Sequence, residues 1–468
     1  MNTKHKKING FTLTTLVVTT AIGSGIFALS SDLAKAAAPG PALLAWLVIS
    51  CGILPLAATF NNLLRRHPEL EGIYAYGQQG FGDFVGFISG WGYWMSGWLG
   101  NVAFSTVFIS TLGYFFPIFQ QANGWPAILA ASVCSWFLTW LVNQGLENAA
   151  IINSVITLCK LIPIITFIIC SLFAFRLSVF THNFWGNFQN NFTWSSVLLQ
   201  IKSCFMVMMW LFVGIEGATV LSSRAKSQRT AGRATIIGVI CLLLIDTLAS
   251  ILPYGYFTRA QLIHAPQPAM AYLLAKLVGP WGGRFISIGL LISIFGAWIS
   301  WTMLPAETLS SMATQKLLPA RLGKTNHHQA PTLALVITGV VVQIFLITLL
   351  FTKQAYELAY SLSTAAVIVS YIIVAAYQIK DAHKNHLTGA LLLGIGTLIF
   401  ELGGMLCAGI KYLFLCTIIY LPGIYLYYRV QHHELQQDLT KHERYSSTGI
   451  ILLGTLALVL VCSGQLNF

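Results

Sequence analysis

The sequence predicts an all-α polytopic membrane protein with a five-plus-five inverted-repeat core, broken first and sixth helices, and accessory C-terminal helices. Three observations support this prediction. The chain has 468 residues, of which 56% are hydrophobic and only 9% are charged. It contains thirteen apolar runs, most of them near the length of about 20 residues that crosses a bilayer as a helix. Glycine pairs interrupt the first and the sixth of these runs, and the two interruptions are five spans apart.

The composition excludes several classes of protein. A soluble globular protein carries about 25% charged residues, because water must solvate its surface. The excess of 26 Lys and Arg over 14 Asp and Glu does not indicate a nucleic-acid partner, because the basic residues recur in short loops between apolar runs. The nine cysteines lie in apolar runs without CxxC spacing, so neither a metal site nor a disulfide framework is predicted. No cofactor is expected, the lipid bilayer is an expected partner, and homodimerisation is left open.

The apolar runs define the expected domain organisation. A short N-terminal segment (residues 1–10) precedes a core of ten spans (11–378), and accessory C-terminal helices follow (387–468). The predicted spans are Phe11–Ser31, Pro41–Leu63, Phe84–Phe115, Trp125–Val142, Ala149–Phe175, Ser196–Leu221, Ala234–Phe257, Phe285–Met312, Pro331–Phe351, Ala355–Gln378, Leu387–Cys407, Tyr412–Tyr428 and Thr448–Cys462.

The distribution of basic residues predicts the orientation of the spans. With the N-terminus inside and strict alternation, 17 Lys and Arg fall in the inside segments and seven in the outside segments. Cytoplasmic loops of membrane proteins carry such an excess of basic residues. The sequence therefore predicts a multi-pass protein of the cell (cytoplasmic) membrane with a cytoplasmic N-terminus and an external C-terminus.

The two glycine pairs predict opened helices. Gly23-Ser24-Gly25 lies in the middle of the first span, and the sixth span reads Gly214-Ile215-Glu216-Gly217. An opened helix exposes backbone amides and carbonyls, which is tolerated only where the backbone lines a cavity. Half-helix N-termini at such a cavity bind carboxylates. The alternative is that the glycines only allow close packing of helices.

Charged residues inside the spans are candidates for function, because burying a charge in a membrane is costly. Glu216 lies at the predicted break of the sixth span, and a structural ion pair is its alternative interpretation. Lys160 lies within the fifth span, where its ammonium can donate to carbonyls of the opened first helix in a structural or proton-linked role. Four further carboxylates are interpreted as structural rather than catalytic: Asp246, Glu307, Glu357 and Glu401.

Aromatic residues near the middle of two spans predict a site for an organic cation. Tyr93, Trp94 and Asn101 lie in the third span, and Trp298 and Trp301 in the eighth. Aromatic rings attract ammonium and guanidinium groups through cation–π interactions. The alternative is the interfacial aromatic belt, to which most of the 13 tryptophans are assigned.

The sequence disfavours an enzyme, an ATP-driven pump and a channel. All eleven histidines fall in loops or tails, whereas an intramembrane zinc protease or Ser-His hydrolase needs a histidine in a span. No GxxxxGK[ST] motif is present, which argues against ATP-driven pumping by this chain. A channel usually lines its pore with rings of like charges or filter carbonyls from several subunits. A secondary transporter is the favoured interpretation, and a channel-like pore and an intramembrane enzyme are kept as alternatives.

Together these motifs resemble those of a known family. The GSGIF motif of the first span, Gly214-Ile215-Glu216 and the Arg224-Ala225-Lys226 loop are similar to those of the amino acid–polyamine–organocation superfamily. The nearer match is its basic amino acid/polyamine antiporter family, which includes arginine–ornithine and arginine–agmatine exchangers. The resemblance covers roughly residues 7–428 and implies the five-plus-five inverted-repeat fold. Thirteen spans fit the arginine–ornithine and lysine branch better than the arginine–agmatine branch.

The resemblance also implies roles for individual residues. First-helix positions would bind the substrate α-carboxylate through the backbone, and sixth-helix positions would bind the α-amine and include the acidic gating residue Glu216. Trp298 would stack on the substrate side chain, and Lys160 would occupy the place of a sodium ion, in a gating or proton-linked role. The implied substrate-binding residues are Ile22, Gly23, Ser24, Gly25, Tyr93, Asn101, Trp210, Gly214, Ile215, Glu216 and Trp298.

The expected function is therefore sodium-independent exchange of cationic amino acids, arginine for ornithine or close relatives, by alternating access. Exchange of an amino acid for its amine, such as histidine for histamine, remains the alternative. The tenth span departs from the family pattern, because it reads Val369-Ser370-Tyr371 where a proline is expected before the tyrosine. The resemblance consequently does not predict the gating contact of Tyr371.

Overall fold

The computed structural model describes residues 14, 18, 21–70, 72–119, 124–145, 150–187, 189–216, 228–351, 355–408, 410–436 and 438–465. Its α-helices are α1 Gly25–Ala36, α2 Pro39–Arg66, α3 Ile73–Phe81, α4 Asp83–Leu112, α5 Trp125–Asn143, α6 Ala150–Ala174, α7 Leu177–Thr181, α8 Trp194–Trp210, α9 Gln228–Ile251, α10 Arg259–Ile263, α11 Ala269–Val278, α12 Pro280–Thr314, α13 Thr332–Thr348, α14 Ala355–Lys384, α15 Thr388–Ala408, α16 Ile410–Arg429 and α17 Lys441–Cys462. Short 3₁₀ helices are Pro117–Phe119, Leu252–Gly255, Ala320–Gly323 and Leu349–Phe351, and Val430–Glu434 forms a π-helical turn. No strand occurs among the described residues.

The all-α membrane fold predicted from hydropathy is confirmed. From the second to the thirteenth, each predicted span coincides with a helix in its described part, and there the helix ends differ from the predicted ends by at most seven residues. Of the helices in the described part of the chain, nine are long and apolar enough to cross a membrane. The first ten residues, most of the first half of the first span, and residues 217–227 with the Arg224-Ala225-Lys226 loop lie outside the described residues.

Helix α4 packs against both α12 and α14 at the centre of the bundle. In the apolar stretch of α14, 83% of residues are buried, against 17% in α17, which lies at the periphery. Small polar residues let α4 and α14 approach closely, since the hydroxyl oxygens of Ser96 and Ser363 are 2.9 Å apart and Ser370 Oγ donates to Ser89 O at 2.7 Å. Large apolar side chains point outward from α5, α13, α15 and α17, as expected of helices that face lipid.

Four short α-helices were not predicted from the sequence: α3, α7, α10 and α11. Helix α3 directly precedes the third span (α4), and α11 directly precedes the eighth (α12). Each pair is joined by one glycine in the left-handed region, Gly82 with φ +97° and Gly279 with φ +96°. Glycine adopts this conformation without steric cost, so it permits the sharp change of direction between the two helices.

The first and sixth spans are both interrupted at their glycines. The first span is helical at Ala21, has no helical structure from residue 22 to residue 24, and resumes at Gly25. The sixth span ends its helix α8 at Trp210 and continues as turns through residue 216, with Gly214 at φ +104°. Both interruptions therefore lie where the glycine pairs placed them.

Candidate functional site

The two interrupted spans meet at a small cavity inside the bundle. Residues 21–26 of the first span line it, together with Trp210, Leu211 and Val213 of the sixth span and Phe104, Asp246 and Trp301 from α4, α9 and α12. The cavity offers about 20 Å³ to the centre of a water molecule. This is room for about one water, so an amino acid enters only after the lining moves. The structure therefore describes a closed form of the site.

Gly25 brings the two interrupted spans into contact. A Cβ atom at Gly25 would lie 2.7 Å from Leu211 Cδ2 and 3.0 Å from Trp210 Cδ1, so a larger residue would force these two side chains to move. Gly25 is also the first residue of α1, which follows the non-helical segment. The first amides of a helix have no partner within the helix and carry its partial positive charge. The end of α1 is therefore suited to bind a carboxylate.

Three aromatic rings form one wall of the cavity. The ring centroids of Phe104 lie 6.2 Å from Trp210 and 5.9 Å from Trp301. The backbone carbonyl of Trp301 accepts a 2.9 Å hydrogen bond from the Asn101 amide, which holds this part of α12 against α4. Such a wall can receive an organic cation on its ring faces.

The eighth-helix aromatic at the cavity is Trp301 and not Trp298. Trp298 is fully buried and packs edge to face against Phe108, with ring centroids 6.0 Å apart, and it is absent from the cavity lining. The two tryptophans are one turn apart on a helix that is buried on most sides. No polar face marks its rotation, so the sequence pattern alone does not decide between them.

Glu216 lies behind the cavity wall, where several groups donate to it. Its Oε2 accepts a 2.6 Å hydrogen bond from the Tyr371 hydroxyl on α14 and a 3.2 Å bond from the Gly214 amide. Tyr93 of α4 supplies a further side-chain hydrogen bond. The side chain is almost completely buried, and it does not line the cavity. Glu216 thus joins the third, sixth and tenth spans.

Lys160 reaches the first-helix interruption from α6. Its Nζ donates a 3.0 Å hydrogen bond to the carbonyl oxygen of Ile22, and the residue is 4% exposed. Ile22 has left the helix, so its carbonyl needs another donor in this dry environment. The Lys160 ammonium therefore stabilises the opened backbone and places a positive charge beside it.

Asp246 is the one residue with an ionisable side chain among those lining the cavity in the described part of the chain. It comes from α9, the seventh span, and is 2% exposed. Sequence reasoning classed it as a structural carboxylate. The signal that could have singled it out is its position near the middle of an otherwise apolar span, where a carboxylate is costly.

Ion pairs link neighbouring helices near both ends of α14. At one end, Lys35 Nζ lies 3.2 Å from Asp32 Oδ1 and 2.6 Å from Glu357 Oε1, which links α1 to the start of α14. At the other end, Asp381 near the end of α14 pairs with Arg66 Nε at 2.8 Å and His67 Nε2 at 3.0 Å, at the end of α2. Helix α14 therefore takes part in the ion pairs at both ends.

The structure divides the residues predicted from the sequence into two groups. Ile22, Gly23, Ser24, Gly25 and Trp210 line the cavity. Those outside the lining, as far as the structure describes it, are Tyr93, Asn101, Gly214, Ile215, Glu216 and Trp298 together with Lys160. The sequence missed the cavity positions of Phe104 and Asp246.

Comparisons with known proteins show which family the chain resembles in sequence. The amino acid permease family model matches residues 8–439. The chain is 53% identical to the arginine/ornithine antiporter of Latilactobacillus sakei, over 98% of each chain. It is 38% identical to the arginine/ornithine antiporter of Pseudomonas aeruginosa, over 94% of each chain. It is also 35% identical to the arginine/agmatine antiporter of Chlamydia caviae, over 97% of this chain and 96% of the relative.

Proposed function

The chain belongs to the amino acid permease family, and we propose that it exchanges arginine for ornithine across the cell membrane without sodium. The observation that carries this proposal is the cavity at which the interrupted first and sixth spans meet. An opened backbone beside a buried cavity suits a transporter that binds a small polar substrate near the middle of the membrane. The choice of substrate is supported by the names of the relatives at 53% and 38% identity.

The substrate head group binds between the two interrupted spans. Backbone amides at Ser24 and Gly25 receive the α-carboxylate, because the N-terminus of α1 favours an anion. Backbone carbonyls beyond Trp210, where α8 ends and the chain continues as turns, receive the α-ammonium. Gly23 and Gly25 keep the backbone accessible to the substrate.

The aromatic wall receives the substrate side chain. Phe104, Trp210 and Trp301 present ring faces and edges to the same space. A planar guanidinium stacks well on tryptophan, and an ammonium is attracted to the same faces. Trp301 takes the role that the sequence assigned to Trp298, because Trp301 is the tryptophan of α12 that lines the cavity.

Lys160 explains why sodium is not needed. Its ammonium donates to the Ile22 carbonyl at the opened backbone, where it holds a positive charge without a bound ion. A second cation at the same place would be repelled. Glu216, held by Tyr371 and Tyr93, gates the transition by taking up a proton or exchanging its donors.

Transport proceeds by alternating opening of the two ends within a five-plus-five repeat. The ion pairs of Lys35 and Arg66 break in turn, while helices α15, α16 and α17 remain accessory. The repeat is supported by the α3–α4 and α11–α12 pairs, which carry Gly82 and Gly279 at matching positions. The basic-residue distribution supports a cytoplasmic N-terminus and an external C-terminus.

Counterflow in proteoliposomes tests this function. We expect vesicles loaded with ornithine to accumulate labelled arginine, and vesicles without internal substrate to accumulate little. Agmatine, histidine with histamine, and neutral amino acids form the comparison panel. Exchange of histidine for histamine in preference to arginine for ornithine would overturn the substrate assignment. Uptake of arginine at an equal rate into empty vesicles would overturn the assignment of exchange.

A further inference from the structure

Asp246 occupies an unusual position in the seventh span. It lies in α9 within the apolar segment Leu242–Thr247, and its side chain contributes to the cavity lining. Helix α9 is fixed against α1 close by, because Ser30 Oγ donates a 3.0 Å hydrogen bond to Ala249 O, one turn after Asp246. The carboxylate is therefore held at the cavity by a packed helix and not by a loop.

No hydrogen bond or ion pair to the Asp246 carboxylate occurs among the described residues. Glu216 provides the contrast, since it accepts from Tyr371, Gly214 and Tyr93. A buried carboxylate that lacks both donors and a countercharge is strongly disfavoured. The protein thus supplies donors to Glu216, whereas the Asp246 carboxylate lies at the cavity, where the cation of a bound substrate can reach it.

We propose that Asp246 is the countercharge for the side-chain cation of the substrate. It would pair with the guanidinium of arginine or the side-chain ammonium of ornithine. This inference rests on the proposed exchange of cationic amino acids. The backbone binds the α-carboxylate and the α-ammonium of a basic amino acid, whose side chain then carries one positive charge without a partner. Asp246 supplies one negative charge. Lys160 does not compete, because it already donates to Ile22.

The aromatic wall makes this pair selective. Phe104, Trp210 and Trp301 exclude water from the cavity, and attraction between opposite charges increases as the surroundings become less polar. Citrulline has nearly the shape of arginine but carries no side-chain charge. A site that buries Asp246 should reject citrulline, since the carboxylate would then remain without a countercharge.

Competition between arginine and citrulline tests the proposal. In proteoliposomes, Asp246→Asn should reduce the preference for arginine over citrulline by about tenfold or more, because one partner of a buried charge pair is lost. Asp246→Glu keeps the charge and should retain a preference for arginine. Arginine should also raise the unfolding temperature of the wild-type protein more than that of Asp246→Asn.

Glu401→Gln is the matched control. Glu401 is a fully buried carboxylate of α15 for which neither oxygen has a hydrogen-bond partner in the described structure, and it does not line the cavity. This variant should keep the wild-type preference. Loss of a buried, unpaired charge should not destabilise the protein, so both amide variants should fold.

The outcomes separate this inference from the function on which it rests. Arginine–ornithine exchange by the wild type with an unchanged preference in Asp246→Asn would overturn the inference alone. An equal loss of the preference for arginine in Glu401→Gln would also overturn the inference. The loss would then be explained by the removal of any buried carboxylate, whether or not it lines the cavity. If the wild-type protein does not exchange arginine for ornithine, both the proposed function and the proposed role of Asp246 are overturned.

Discussion

The hydroxyl of Tyr371 donates a 2.6 Å hydrogen bond to Glu216, which ties the tenth span to the interruption of the sixth. Tyr371 also packs edge to face on Phe60 of α2, with ring centroids 5.6 Å apart. The contact forms although the residue before Tyr371 is serine and not proline. Ser370 instead donates to Ser89 O on α4, which positions this part of α14. A movement of α14 must therefore rearrange the donors of Glu216.

The first prediction concerns Glu216. Glu216→Gln keeps the size of the side chain and removes its charge, so substrate binding should persist while the exchange rate falls by about tenfold or more, since a hydrogen bond to a charged group contributes about 1.5–3 kcal/mol. The dependence of the exchange rate on pH should disappear in the same variant. Glu216→Asp should retain partial activity. Exchange is measured against pH and normalised to folded protein, and wild-type pH dependence in Glu216→Gln would remove this residue from the mechanism.

The second prediction concerns Gly25. A larger side chain would collide with Leu211 and Trp210, which lie 2.7 and 3.0 Å from the position of its Cβ. Gly25→Leu should insert into the membrane yet lose the stabilisation that substrate confers on thermal unfolding. Gly396→Leu is the control, because nothing lies within 4 Å of a Cβ at Gly396. Normal substrate stabilisation in Gly25→Leu would place the site away from the first span.

The third prediction concerns Lys160. Replacement of sodium by choline or potassium should leave the wild-type exchange rate unchanged. Lys160→Gln should slow exchange by about tenfold, because an unsatisfied buried carbonyl such as that of Ile22 costs about 1–3 kcal/mol. Lys202→Gln, which changes an exposed lysine of α8, should exchange at the wild-type rate. Sodium-dependent exchange by the wild type would contradict the role given to Lys160.

The fourth prediction separates the two tryptophans of α12. Trp301→Leu should weaken arginine binding by about two- to thirtyfold, the range expected for loss of a cation–π contact of about 0.5–2 kcal/mol. Trp298→Leu should instead lower the unfolding temperature, because Trp298 is fully buried outside the cavity. The affinity for arginine and the unfolding temperature of each variant show which tryptophan contacts the substrate. Weaker binding in Trp298→Leu alone would restore the assignment made from the sequence.

The sequence carries stronger signals for the fold than for which residues line the cavity, for a physical reason. Spans are marked by long apolar runs, and their interruptions by glycine pairs, which are strong local signals. Helices α3 and α11 carry no such signal, since they are only 9 and 10 residues long. Which side of a central helix faces the cavity depends on the packing of its neighbours. That Trp301 rather than Trp298 lines the cavity, and that Asp246 lines it too, is therefore visible only in three dimensions.

The closed cavity has an electrical consequence. In the described part of the chain, the cavity has room for about one water and ion pairs link helices at both ends of α14, so this form is poorly suited to conduct ions. A membrane that contains many copies in this form keeps its electrical resistance. The proton and ion gradients of the cell are therefore not dissipated through the protein. Substrate traffic through the protein can then run at high copy number without draining the energy stored across the membrane.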